Sequence, residues 1–393
     1  MKRLLAILLL LASLLAATSC GEGNVSTYQR RGTRSSSMID TETRILFFHN
    51  AQLYYYDKVS GGSRIFCFDP LCEHIGYGDS CLSTRFATTH HLQWLVYSQA
   101  DGRFYAPRGE KLISFGLDGS EVREDWSFGE SGALSEELTI PGRTLSGDFS
   151  YGNYIYLSVA DAETGARQIV RYHVKKKTLE KLTTPEDGSF SIYAIARGQF
   201  YAICHTGSTA QAVRADPDWK HVEFLGDYDF LNSCVCDGEF IYYPKYHAVV
   251  NEETGEVVTN GKTGETVMAD DGIWKYDPAD NSKTRITEPN GTGPCHLLYV
   301  TDGYLYYAPY EETEVGTGMV TYSTIWRAAK DGSDPKPVFA VGACDVTGLC
   351  VSHDVAILTA QEKTASGTTS QTAYRMTVEP DGTFSDVRAL DLE

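Results

Sequence analysis

The chain has 393 residues, 42% hydrophobic and 22% charged, with 34 Lys and Arg against 52 Asp and Glu for a formal net charge of −18. That acidity argues against nucleic acid or an anionic lipid surface as partner, because such contacts depend on neutralising phosphate with Lys and Arg. Its ordinary meaning is solubility, and the apolar share suffices for a sizeable core.

Lys2 and Arg3 open the chain, Leu4 to Leu15 is apolar apart from Ser13, and the small residues Ala16 to Ser19 lead into Cys20. This is the layout of a secretory signal peptide. The twelve-residue apolar run is too short for a bilayer core of roughly 30 Å, which takes about 20 helical residues. Residues 1–19 therefore read as a removable leader. Cys20, directly after the small residues, resembles the lipobox cysteine of bacterial lipoproteins, with Ala17 where Leu is commonest. The resemblance implies that Cys20 is lipidated and anchors the protein to the outer face of the cell membrane; plain secretion with an incidental Cys20 is the alternative. Stable anchoring takes two or more acyl chains. Loss of Lys2 and Arg3 with the leader leaves 32 basic against 52 acidic residues, a charge of −20. Residues 20–36 hold little that could form a core and read as the lipidated Cys and a flexible linker.

Residues 37–393 repeat one phrase. Eight Asp-Gly pairs, at Asp101, Asp118, Asp187, Asp237, Asp271, Asp302, Asp331 and Asp381, punctuate the chain. Asp-Gly suits the tight turns that match the twist of paired strands. Around the pairs recur a turn, an aromatic-rich strand, a loop, a second strand, another turn and a short outer strand. RILFFHNAQLYYYDKVSGGSRIFC from Arg44, DGRFYAPRGEKLISFGLDGSEVRE from Asp101, NYIYLSVADAETGARQIVRYHV from Asn153, GEFIYYPKY from Gly238 and TDGYLYYAPY from Thr301 are such copies, with weaker ones at Gln199 and Val355. Seven copies of about fifty residues match the size of four-stranded propeller blades. The expected fold is all-β: a seven-bladed β-propeller of four-stranded antiparallel blades. Expected inner strands are Met38–Glu42, Gln93–Ser98, Ser191–Ala196, Asn232–Cys236, His296–Thr301 and Thr347–Ser352. No stretch holds a 3.6-residue period, so no helical component is needed. The 25 tyrosines suit half-buried pleated surfaces, with sugar stacking as the sharper alternative for some.

The leader, the repeats and the phrase Cys67-Phe-Asp-Pro-Leu-Cys72-Glu-His74 together resemble a group of uncharacterised surface lipoproteins of Gram-positive anaerobes, whose propellers are similar to those of TolB and the low-density-lipoprotein receptor. The resemblance covers nearly the whole mature chain and implies a propeller and a cell-surface address. It brings no activity to carry over, and a YWTD tetrapeptide is absent here.

In such blades the b–c loops and d-to-a connections emerge on one face, the a–b and c–d turns on the other. The long additions, Tyr246 to Asp270 in blade five, Glu311 to Val320 in blade six and Gln361 to Ser370 in blade seven, all fall on the first face, as does the cysteine segment. Insertions gathered on one face are how repeat proteins build binding surfaces. EVVTNGKTGETV in blade five is expected to form a protruding Asn-Gly hairpin. Gly261-Lys262-Thr263 within it is no phosphate loop, since Gly255 is misplaced by one residue and no strand-to-helix context surrounds it. Neither a G-x-S-x-G elbow nor an H-E-x-x-H motif occurs, and seven blades leave no room here for a hydrolase domain.

Cys67, Cys72, His74 and Cys81 are the most specific constellation. Three thiolates and an imidazole suit a closed structural zinc site; a disulfide, which an extracytoplasmic address permits, and unpaired thiols are the alternatives. Six further cysteines, Cys204, Cys234, Cys236, Cys295, Cys344 and Cys350, lie on or beside expected inner strands and read as core. Two functions remain. One is a non-catalytic binding module for a peptide, glycan or protein partner, acting through the long-loop face. The other is a propeller-type glycoside hydrolase or lyase using carboxylates at the channel mouth.

Overall fold

In the computed structural model, residues 38–50, 52–67, 72–73, 81, 95–108, 111–127, 144–160, 167–184, 187–259, 264, 266–291, 293–315, 318–363 and 369–392 are described. The leader, Cys20, the linker, His74 and Gly261–Thr263 lie outside them. Seven antiparallel sheets, each of four strands taken in chain order as a to d, form the expected blades. Blade one comprises Met38–Asp40, Arg44–His49, Gln52–Asp57 and Ser63–Ile65; blade two Val96–Ser98, Arg103–Arg108, Lys111–Phe115 and Arg123–Ser127. Blade three is Thr144–Tyr151, Tyr154–Ala160, Arg167–His173 and Thr178–Lys181; blade four Ser189–Ala196, Gln199–Thr206, Thr209–Ala215 and Val222–Gly226. Blade five is Val235–Cys236, Ile241–Ala248, Met268–Asp277 and Ser282–Arg285; blade six His296–Val300, Tyr304–Ala308, Thr324–Ala329 and Lys336–Ala340. Blade seven is Cys344–Ser352, Val355–Lys363, Thr369–Val378 and Phe384–Ala389. A single 3₁₀ turn, Asp229–Leu231, is the sole helical element among the described residues.

The b strands show why these phrases fold as blades. A strand covered on both faces can carry large residues at consecutive positions, which then alternate between its two neighbours. In blade two, Phe104 and Ala106 join the core shared with blade one, while Tyr105 joins that shared with blade three. In blade four, Phe200 and Ala202 face blade three, whereas Tyr201 and Ile203 face blade five. Blade six repeats the pattern with Leu305 and Tyr307 towards blade five, and Tyr306 and Ala308 towards blade seven. Burying tyrosine requires a partner for its hydroxyl. Tyr105 donates to Asp101 at 2.6 Å and Tyr242 to Asp237 at 3.2 Å, each the aspartate of its own a–b turn. Asp101 and Asp237 therefore sit in the turn and also accept the hydrogen bond of the buried ring's hydroxyl.

Six of the eight Asp-Gly pairs sit in hairpins, three between strands a and b (Asp101, Asp237, Asp302) and three between c and d (Asp118, Asp331, Asp381). Asp187 instead precedes blade four, and Asp271 lies inside strand c of blade five. There Gly272 lets Thr287 approach so closely that an added Cβ would stand 2.2 Å from its carbonyl oxygen.

Inner strands stand side by side from blade two round to blade seven and on to blade one. Among the described residues no strand from one end of the chain completes a blade begun at the other. Closure rests on packing: blades six, seven and one share a core that includes Ile45, Phe47, Leu349, Ile357 and Leu358. Hydrogen bonds cross the seam, from the Asn50 amide to Gln371 Oε1 (2.8 Å), from Tyr54 Oη to the Leu392 carbonyl (3.3 Å) and from Lys58 Nζ to Ser352 Oγ (2.6 Å).

Candidate functional site

The long additions share the face expected for them. In blade five the b–c connection is an ordered finger: the Val258 amide donates to the Val249 carbonyl and the Val267 amide to the Val258 carbonyl, with bridges Val250–Val257 and Thr259–Thr266. It makes two reversals where the sequence suggested one. The first is built on Asn251, whose side chain accepts from the amides of Glu253 and Thr254, followed by Gly255 at φ 71°. The second encloses the Asn-Gly pair, which lies outside the described residues. Tyr246, Val250 and Val257 on this finger are 40, 48 and 49% exposed. In blade six, Thr313–Val315 pairs with Gly318–Val320 as a side hairpin. In blade seven the addition lengthens strands b and c, so that Lys363 pairs with Thr369.

At the root of the side hairpin lies a cluster of rings. Tyr310 and Tyr322, which flank the hairpin, meet edge to face at 5.6 Å, and His296 meets Tyr322 at 5.4 Å. Gly291 and Gly293 make room for Tyr310: a Cβ on Gly293 would lie 2.9 Å from its ring. The Tyr310 hydroxyl donates to Glu312 at 2.7 Å, and this bond with partial burial pushes its pKa up to about 12. Burial lowers the pKa of His296, so its imidazole is neutral at pH 7. Rings presenting both a face and a polar edge suit stacking against a sugar or an aromatic or proline-rich peptide. Besides Glu312, two aspartates near the cluster accept from backbone amides. Asp345 accepts from the amides of Thr321 (2.6 Å) and Tyr322 (3.0 Å), fixing the root of the side hairpin. Asp270 accepts from those of Gly272 and Asn290, although burial still raises its pKa.

Also on this face is the connection leaving blade one, where Phe66 is fully buried against Phe104 and Phe115 of blade two. Next to it, the sulfurs of Cys67, Cys72 and Cys81 lie within 4.8 Å of one another. Three of the four residues singled out by spacing are therefore brought together. The six remaining cysteines are buried, five of them on or next to inner strands and Cys204 on strand b of blade four.

A cavity of about 580 Å³ opens on the opposite face, among the a–b turns of blades six and seven and the c–d turn of blade seven, and reaches Asp40 of blade one and Gln99 of blade two. Asp302, Asp354 and Glu379 give it an acidic lining beside His353, and Tyr304 and Tyr306 an aromatic wall. Insertion lengths give no hint of this cavity, because short turns from distant parts of the chain build it. No helix among the described residues is long and apolar enough to cross a membrane.

No family model matches the chain, and no curated protein matches it in sequence. Solved structures do resemble it. An oligogalacturonate lyase from Vibrio parahaemolyticus aligns over 91% of this chain and 90% of its own at 9% identity and a TM-score of 0.49. Puromycin hydrolase aligns over 94% of this chain at 11% identity and a TM-score of 0.50, with 55% of its own length covered; the present chain spans about half of it. TolB from Acinetobacter baumannii aligns over 90% of this chain and 81% of its own at 9% identity and a TM-score of 0.34. At such identities the likeness extends to the β-propeller fold alone.

Proposed function

We propose that the protein is a membrane-tethered, extracytoplasmic propeller that binds a peptide, glycan or protein partner without catalysis, through the face bearing the finger and side hairpin. The observation that carries this reading is the ring cluster Tyr310, Tyr322 and His296, on the face that also presents the exposed Tyr246, Val250 and Val257 of the finger. Asp345 and Asp270 beside it are held by backbone amides, an arrangement that shapes loops, and Glu312 accepts from the Tyr310 hydroxyl. Screening the mature protein against immobilised oligosaccharides and extracellular peptides tests it. Tyr246→Ala and Tyr310→Ala should each weaken capture about fivefold to tenfold, the worth of an aromatic contact of about 1 kcal/mol. Unchanged capture in both variants would remove this face from consideration.

The anchor is tested separately. Metabolic labelling with a fatty-acid analogue should mark the protein, and Cys20→Ala should lose the label and appear in the medium. Label retained in the variant contradicts lipidation at Cys20.

The cavity on the turn face favours the second reading, a propeller-type glycoside hydrolase or lyase, because Asp354 and Glu379 both line it. Release of reducing ends or unsaturated sugars from polysaccharides, abolished by Glu379→Gln or Asp354→Asn, would establish that reading over the first.

A further inference from the structure

We propose that Cys67, Cys72 and Cys81 form a thiolate site for a thiophilic d¹⁰ cation, zinc foremost, which clips the connection between blades one and two. Zinc–sulfur bonds of about 2.3 Å at tetrahedral angles place neighbouring sulfurs about 3.8 Å apart. The three sulfurs, all within 4.8 Å of one another, need little movement to reach that spacing. A disulfide joins two sulfurs at about 2.05 Å and gives the third no reason to be present. Among the described residues this is the one group of three or more His, Cys, Asp or Glu side chains whose ligand atoms converge in this way.

The surroundings fit a ligand site better than a core. Cys67 and Cys72 are half-buried and Cys81 is 4% exposed, so an ion can enter from one side and be shielded on the other. Thiolate donors select zinc or cuprous copper and reject calcium and magnesium, which take oxygen ligands. The other cysteines have a different chemistry: burial pushes the thiols of Cys204, Cys295, Cys344 and Cys350 up, holding them protonated as small apolar side chains.

Cys67 is held in place before any ion arrives. Phe66 is fixed in the core between blades one and two, and the Cys67 amide donates to the Ile65 carbonyl at 3.0 Å. Binding then ties residues 72 and 81 to this fixed point, and each thiol gives up its proton as its sulfur–metal bond forms. Three sulfurs fill three corners of a tetrahedron and leave one for a non-cysteine donor. The site stands apart from the ring cluster, so neither proposal depends on the other.

The test uses the full mature protein purified with reductant and without chelator. Elemental analysis should find about one zinc per chain, lost in Cys72→Ser and Cys67→Ser and kept in Cys204→Ser. Chelation should expose three additional reactive thiols and release the metal. Since a serine variant could lose zinc by misfolding, the unaltered apoprotein is also titrated with cobalt(II). Saturation at one equivalent, with the intense visible bands of tetrahedral thiolate coordination, supports the site. A disulfide between any two of the three on peptide mapping, or no retained zinc and no cobalt bands after reconstitution, overturns it.

Discussion

Gly332→Ala is expected to cost about 3–5 kcal/mol of stability, the range of changes that force backbone to move. Gly332 has φ +85°, in the c–d turn of blade six, and an added Cβ would stand 1.5 Å from the carbonyl oxygen of Ile286 and 2.4 Å from its carbon. Ile286 cannot retreat freely, because its amide donates to the Ile273 carbonyl at 2.9 Å, continuing the pairing of blade five's outer strand. The clash therefore drives two blades apart. Gly207→Ala separates this from backbone strain alone: Gly207 has φ +59° with nothing within 4 Å of its added Cβ, so that substitution should cost only about 1 kcal/mol. Equilibrium unfolding in urea compares the two. Equal losses would show that the contact between blades adds nothing.

This contact illustrates where sequence reading stops. The period of about fifty residues, the aromatic-rich strands and the Asp-Gly turns made the blades legible, because all three follow from local rules of pleating and turn chemistry. Six Asp-Gly pairs obeyed those rules. Asp187 and Asp271 did not, since their glycines answer to close approaches made elsewhere in the fold: Gly188 would place a Cβ 2.8 Å from the Cys204 sulfur, and Gly272 packs on Thr287. Blade membership was readable, but the ring's closure was not. Nothing local says that Lys58 will meet Ser352 or that Tyr54 will meet Leu392.

The site was legible in the same uneven way. Long b–c additions could be assigned to one face from topology alone, and the cysteine spacing pointed to residues whose sulfurs do converge. Tyr310 and Tyr322 could not be picked from 25 tyrosines, because their pairing depends on the side hairpin bringing both ends of an insertion together. The one local clue was Gly291 and Gly293, two small residues against which the Tyr310 backbone and ring, respectively, lie. The turn-face cavity had no local signal, as residues near 40, 302, 354 and 379 meet there only once the ring is closed.

That seam gives the second large expected effect: Lys58→Met should destabilise the protein by about 2–3 kcal/mol at pH 7, the cost of leaving a largely buried carboxylate without its cation. Lys58 Nζ lies 2.6 Å from Asp40 Oδ1, with the two side chains 13 and 25% exposed, and it also donates to Ser352 and to the Thr41 carbonyl. Burial already holds the Asp40 carboxyl above its ordinary value, against the opposing pull of Lys58, Ser352 and His353. Losing the ammonium raises it further. A carboxyl whose folded pKa exceeds its unfolded one binds its proton more tightly when folded, so the penalty is absent below the unfolded value and grows as pH rises through the folded one. The gap between variant and parent should thus narrow as pH falls from 7 towards 4, the reverse of the loss seen when an acid's folded pKa is depressed. Asp40→Asn combined with Lys58→Met should recover most of the loss at pH 7, because no buried charge is then left alone. Urea unfolding across that pH range reads both effects. A gap that stays constant with pH, or a double variant no better than the single, would mean that Lys58 acts through packing at the seam and its charge has no part in closing the ring.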